Sequence, residues 1–202
     1  MIELEKDGGL WIVTINRPDK ANSLTGEMLT ELAEIMESAG EARAVILTGK
    51  GKVFSAGADL EEAKAGLATS PLWERLSGAI AALPGLTICA MNGTLAGGAN
   101  GMALACDIRL AVPGAKFFYP VMKLGYLPQP SDPGRMAALI GPARTKLILM
   151  GGQKIETEEA LSFGLIDRVI GPDALLDVAR TICADTLAAK PEIAAGIKTL
   201  CR

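Results

Sequence analysis

Short continuous apolar runs alternate along the chain with longer stretches in which apolar residues recur at helical spacing. "MIELEKDGGLWIVTIN" reads as two strands turned at Asp7-Gly8-Gly9. In "SLTGEMLTELAEIMESAG", Leu29, Leu32, Ala33, Ile35 and Met36 line one helical face, with Thr25 as the cap and Gly40 closing the element. "ARAVILTG" is apolar throughout and bounded by glycine, the pattern of a strand covered on both faces. A helix is expected from about Asp59, and another in "SPLWERLSGAIAAL", with Ser70 as cap and Pro71 at the first position. "LTICAMNG" is a second buried strand, followed by a tight loop and the helix "GANGMALAC". "DIRLAV" and "KFFYP" read as further strands or extended pieces. From Ser131 onward the pattern is helical, in "SDPGRMAALIG", "PARTKLILMG", "ETEEALSFG" and "PDALLDVARTICADTLAAKPEIAAGIKTLCR". Strands alternating with helices predict a largely parallel α/β core with a helical end, and residues 1–202 read as a single domain. No repeat of fixed period and no low-complexity linker interrupts it.

Composition narrows the chemistry. Half of the residues are hydrophobic and 21% are charged, so the chain is globular in character. A formal net charge of −3 shows no basic excess and argues against nucleic acid as a partner. No charged residue occurs from Leu76 to Cys106, which raises a membrane span. Pro84, Asn92, Asn100 and six glycines interrupt that run, and no apolar segment reaches the roughly 18 residues a span needs. The N-terminus is charged from the start and does not read as a signal peptide. The four cysteines lie far apart, so free thiols in a reducing cytosol and no metal site are expected. The absence of histidine excludes His-dependent triads and imidazole bases.

Two glycine- and alanine-rich turns share one grammar, "VFSAGADL" and "NGTLAGGANG". Each places backbone N–H groups at a strand-to-helix turn, and small residues let a ligand approach them. If the two turns meet, one N–H from each can hold a carbonyl oxygen as it becomes an oxyanion. Taken singly, either turn reads first as tight packing. Neither gives a dinucleotide fingerprint, and no phosphate-binding GxxxxGK[ST] loop occurs.

In combination the motifs are more specific. "INRPDKANSL", "AVILTGKGKVFSAGADL", "NGTLAGGANGMALACDIRLA", "KLGYLP" and "GGQKIETEEALSFGLIDRVI" follow in an order that resembles the enoyl-CoA hydratase/isomerase (crotonase) superfamily over roughly residues 10–190. The resemblance implies an α/β fold of the crotonase, ClpP-like kind, a spiral of ββα units, here with a truncated helical C-terminus. It also implies acyl-CoA thioester substrates, CoA entering as part of the substrate with no separate cofactor, and a homotrimer or hexamer. Carried over by position, the oxyanion-hole donors are the N–H groups of Ala58 and Gly98, and Lys20, Ala21, Ala56 and Asp59 fall in the CoA region.

The chain then departs from the family pattern. Ungapped alignment puts Gly101 and Val121 at the two glutamate positions of the hydratases, and neither can transfer a proton. Conventional two-glutamate hydration is therefore disfavoured, and isomerisation, decarboxylation or an atypical hydration through a CoA enolate is expected. The remaining acid/base candidates are Tyr119, Tyr126, Glu62 and Asp132, with Glu61 and Glu74 nearby. For Asp132 the local string "PSDPGR" reads first as a cap on a helix beginning at Pro133, and for Glu61 and Glu62 an exposed helix face is expected. Relatives generally continue some sixty residues further, so cover over the acyl pocket is expected to be missing or to come from another subunit. The competing reading is a non-catalytic acyl-CoA-binding or structural protein of the same fold. A third is a remnant of the fold that binds nothing.

Overall fold

A computed structural model describes residues 1–201. The chain opens with the hairpin β1 (Ile2–Asp7) and β2 (Leu10–Ile15), paired antiparallel with Asp7 opposite Leu10. Gly8 and Gly9 make its two-residue turn, both at positive φ (54° and 93°), as the tight hairpin turn requires. Helix α1 (Gly26–Ser38) follows. Thr25 caps it by accepting the Met28 N–H at 3.2 Å, and Met28, Leu29, Leu32, Ala33 and Met36 form its buried face.

Three ββα passages then build the centre of the molecule. The first comprises β3 (Ala44–Gly49), β4 (Val53–Ser55), the short α2 (Leu60–Lys64) and α3 (Leu72–Ala82). The second comprises β5 (Leu86–Met91), β6 (Thr94–Ala96) and α4 (Asn100–Ala105). The third comprises β7 (Ile108–Ala111), β8 (Lys116–Phe118), the single-turn α5 (Val121–Leu124) and α6 (Asp132–Leu149). The chain closes with β9 (Ile155–Glu156), α7 (Thr157–Phe163), β10 (Arg168–Val169), α8 (Leu175–Ala188) and α9 (Pro191–Leu200). The first strand of each passage enters a six-stranded sheet of order β1-β2-β3-β5-β7-β10, parallel except for the opening hairpin. The second enters a four-stranded sheet of order β4-β6-β8-β9, in which β4, β6 and β8 are parallel. The pattern of strands and helices predicts the mixed α/β architecture, and the stacked ββα units are those the resemblance implies.

The large sheet is buried where helices cover it. Ala44 to Thr48 of β3 are all buried, and α8 packs across β3, β5 and β7. Trp73, Leu76, Ser77 and Ile80 of α3 give the buried stripe of an amphipathic helix, and α3 packs on α1 and α4. The sequence places the start of α3 one residue early: Ser70 Oγ accepts the Leu72 N–H at 3.3 Å, with Pro71 in between. Gly141 (φ 80°, ψ 161°) followed by Pro142 kinks α6 where the sequence separates two helices. No helix among the described residues is long and apolar enough to cross a membrane.

Candidate active site

Because β4 and β6 run parallel with Val53 opposite Thr94, the turns at their C-terminal ends lie side by side. The approach is close. A Cβ on Gly57, which has a φ of 90°, would stand 2.9 Å from the Ala96 carbonyl oxygen and 3.4 Å from Gly97 Cα. Only glycine fits both the conformation and the space.

The amides of the first turn are mostly committed. Ala56 N–H donates to Ala21 O, Gly57 N–H to Ser55 Oγ, and Asp59 N–H to Leu24 O. Ala58 N–H is bonded to no group among the described residues. In the second turn, Gly98 N–H sits in a one-turn 3-10 segment (97–99), where the first amides lack an intrahelical acceptor. Asn100 Nδ2 fixes that turn by donating to Gly97 O at 2.8 Å and Phe118 O at 3.1 Å. The buried Trp73 lies against Gly98, so a Cβ there would fall 3.0 Å from the indole ring, while Trp73 Nε1 donates to Leu67 O at 2.8 Å. Two unpaired N–H donors from two ββα units therefore border one opening.

That opening is a cavity of about 380 Å³. Ala56, Ala58, Ala96, Gly97 and Gly98 form one side, with Trp73 and Ala68 beside them. Phe118, Tyr119, Val121, Leu124, Tyr126 and Leu127 line another side, and Leu60, Ala63 and Lys64 of α2 complete it. No carboxylate among the described residues lines it. Leu60, Leu124, Tyr126 and Leu127 are exposed at its rim.

Of the residues singled out by sequence, Ala56, Ala58, Gly98, Tyr119, Val121 and Tyr126 meet at this cavity. The others do not line it. Lys20 is exposed at the end of a short 3-10 turn (18–20), and Ala21 adopts a left-handed conformation (φ 51°) beneath Ala56. Asp59 is held by structure: its carboxylate accepts from Arg17 Nη1 at 2.8 Å and from the Glu61 N–H at 3.1 Å. The Arg17 guanidinium holds the Asp59 carboxyl below its ordinary range. Glu61 is exposed and pairs with Lys64 at 2.8 Å. Glu62, by contrast, is half-buried rather than on an open face, and accepts the Gly26 N–H at 2.7 Å, sealing the N-terminus of α1.

Asp132 corrects the sequence reading most sharply. It caps nothing. Helix α6 begins at Asp132 itself, preceded by Ser131, and no side chain makes a cap bond there. The residue is fully buried, with Oδ2 accepting from the Tyr119 hydroxyl at 3.0 Å. Its Oδ1 has no hydrogen-bond partner and lies 2.9 Å from where a Cβ of Gly101 would stand. Because residue 101 has no side chain, the α6 carboxyl can occupy that space. The Tyr119 oxygen also accepts the Gln129 N–H at 3.3 Å, and Glu74 binds the N–H and Oγ of Ser131. Burial pushes the Asp132 carboxyl up to about 6, helped by Glu74 and opposed by the Tyr119 hydrogen bond and Arg135. Burial and the neighbouring carboxyl likewise push the Tyr119 phenol upward.

Sequence reasoning passed over Arg17 and Trp73, which fix the two turns. Arg17 carries a weak signal, as the only cation in "INRPD"; Trp73 looks like any core aromatic.

A family model described as Enoyl-CoA hydratase/isomerase matches residues 5–201. The short-chain-enoyl-CoA hydratase of Clostridium acetobutylicum is 36% identical over 192 residues, spanning 89% of this chain and 72% of that protein. The 1,2-epoxyphenylacetyl-CoA isomerase of Escherichia coli is 32% identical over 201 residues, spanning 94% and 76%. A crystal structure of an enoyl-CoA hydratase/isomerase from Pseudoalteromonas atlantica has a TM-score of 0.91 at 28% identity, covering 98% of this chain and 81% of that one. With residues 5–201 of the chain matched by the family model, the chain belongs to the enoyl-CoA hydratase/isomerase family.

Proposed function

We propose that this protein binds an acyl-CoA thioester and stabilises its enolate between the backbone N–H groups of Ala58 and Gly98. The observation that carries this reading is the convergence of two uncommitted amides on one largely apolar cavity. The names of the relatives point the same way: one is a hydratase and one an isomerase, and CoA thioesters are common to both names. The acyl group enters between Trp73 and Tyr119, and the CoA portion leaves past Ala56 toward Ala21 and Lys20. In this reading Lys20 meets a CoA phosphate. The protein works as a homotrimer or hexamer in the cytoplasm.

The reaction is a lyase or isomerase step through the enolate, as isomerisation, decarboxylation or an atypical hydration. Two-glutamate hydration is disfavoured because Gly101 and Val121 offer no proton-transferring group. For loss of carbon dioxide from a malonyl-type thioester, the departing carboxylate supplies the electron pair. The oxyanion donors then carry most of the catalysis, removal of one such donor typically costing about 2.7–4 kcal/mol of barrier. A second reading, a non-catalytic acyl-CoA-binding protein, is favoured by one observation: no carboxylate among the described residues lines the cavity.

The test is mass spectrometry of crotonyl-, 3-hexenoyl-, malonyl- and methylmalonyl-CoA incubated with the pure protein in heavy water. Added water, lost carbon dioxide or incorporated deuterium would each name the reaction. Tight binding with all four thioesters unchanged would select the binding protein, and no binding at all would overturn the proposal.

A further inference from the structure

We propose that Asp132 is a positioning residue that decides, by its protonation, whether the Tyr119 hydroxyl hydrogen points at Asp132 or into the acyl cavity. The inference rests on the acyl-CoA reading for its ligand, but its chemistry stands on the Tyr119–Asp132 contact itself.

The phenol has one hydrogen and two neighbours. Gln129 N–H can only donate to its oxygen, at 3.3 Å. Asp132 Oδ2 lies 3.0 Å away and, while ionised, can only accept, so it holds the phenol hydrogen. Once Asp132 carries a proton it can donate to Tyr119 instead. The phenol oxygen then accepts from both neighbours, and its hydrogen is released toward the cavity that Tyr119 lines. No bond is made or broken beyond the one proton that Asp132 takes from solvent.

The surroundings of Asp132 are defined on each side. From α4 it meets Gly101, which brings no charge. From α3 it feels Glu74, whose carboxylate is held by Ser131 and disfavours a second negative charge. From its own helix comes Arg135, which favours ionisation, and from the end of β8 the phenol itself. With Oδ1 unpartnered and the residue fully buried, the neutral acid is held near the physiological range, at about 6. In Tyr119 the cavity gains a side-chain hydrogen-bond donor below that pH and loses it above.

The chain has two tyrosines, so tyrosine labelled with carbon-13 at Cζ gives two signals, assigned with Tyr126→Phe. The Tyr119 signal is expected to titrate with a midpoint near 6. An aspartate carboxyl signal should titrate at the same midpoint in the unmutated protein. Glu74→Gln should lower the midpoint, and Asp132→Asn should abolish the Tyr119 titration. A Tyr119 signal flat from pH 4.5 to 8, or one still titrating in Asp132→Asn, would overturn the proposal. The carboxyl signal of the unmutated protein decides the matter if the variant does not fold.

Butyryl-CoA is the probe for the ligand arm. Its affinity for the wild type should fall up to about tenfold from pH 5 to pH 8 relative to Asp132→Asn, one hydrogen bond's worth. The titration of the ligand's own phosphate is common to both proteins and cancels. An equal pH dependence in the two would overturn the proposal. No binding of butyryl-CoA at any pH would instead count against the acyl-CoA reading, leaving the switch to the resonance measurement.

Discussion

A buried carboxyl with a raised pKa loads the fold with a cost that depends on pH, and Asp132 is such a residue. Its proton is held more tightly folded, at about 6, than at the ordinary 3.8 of an unfolded chain. The contribution to stability is fully present below about 3.8 and is lost as pH rises through 6. Asp132→Asn, which keeps the neutral form, should therefore gain on the wild type as pH rises, by about 2 kcal/mol between pH 4 and 7.5. Urea denaturation at the two pH values measures the gap, and a constant gap would contradict it. Gly101 supplies the complementary prediction. Gly101→Ala places a Cβ 2.9 Å from Asp132 Oδ1 and should cost about 1–3 kcal/mol. In an Asp132→Ala background most of that penalty should vanish, giving a coupling above about 1 kcal/mol in a double-mutant cycle. Gly101 and Val121 were legible as departures because each stands at a motif position. Asp132 was not, since "SDPG" also satisfies the local grammar of a helix start, and only tertiary packing brings α6 onto α4.

At the scale of elements, α2 is legible from its start rather than from periodicity: the helix expected from about Asp59 is present, capped by Asp59. Its five residues are too few to hold a helix alone. Three contacts hold it: Asp59 accepts the Glu61 N–H, Arg17 grips Asp59 as well as Ser23, and Glu62 reaches the first amide of α1. Glu62→Ala removes the acceptor from an otherwise orphaned helix-terminal N–H, so it should destabilise the protein by about 1–2 kcal/mol. A thermal melt measures this, and a melting temperature equal to the wild type's would refute the capping role. Of the second sheet, β8 was legible in "KFFYP", but β4 and β6 are each three residues long, too short to show alternation, whereas the apolar runs of β3 and β5 stood out. The three ββα units also begin at residues 44, 86 and 108, so a repeated structure leaves no repeated period in the sequence.

Over the whole molecule, the two sheets convert that repetition into a site. Parallel pairing of β4 with β6 sets two turns abreast: in the first the Ala58 amide is unused while its neighbours are bonded within the fold, and in the second the Gly98 amide opens a 3-10 turn. A thioester oxygen held there would join two units whose other links are sheet pairing and core packing. Binding should then protect selected amides and also stabilise the protein globally. At a ligand concentration of 100 times the dissociation constant the gain should be about 2.7 kcal/mol. Hydrogen exchange resolves where it arises. With saturating butyryl-CoA, the Ala58 and Gly98 amides should slow beyond the global change, because they acquire an acceptor. The amides of Gly57 and Asp59, already bonded to Ser55 Oγ and Leu24 O, should follow the global change alone. Uniform slowing across all four would mean that the ligand stabilises the fold from elsewhere, and the two turns would then be packing devices rather than donors.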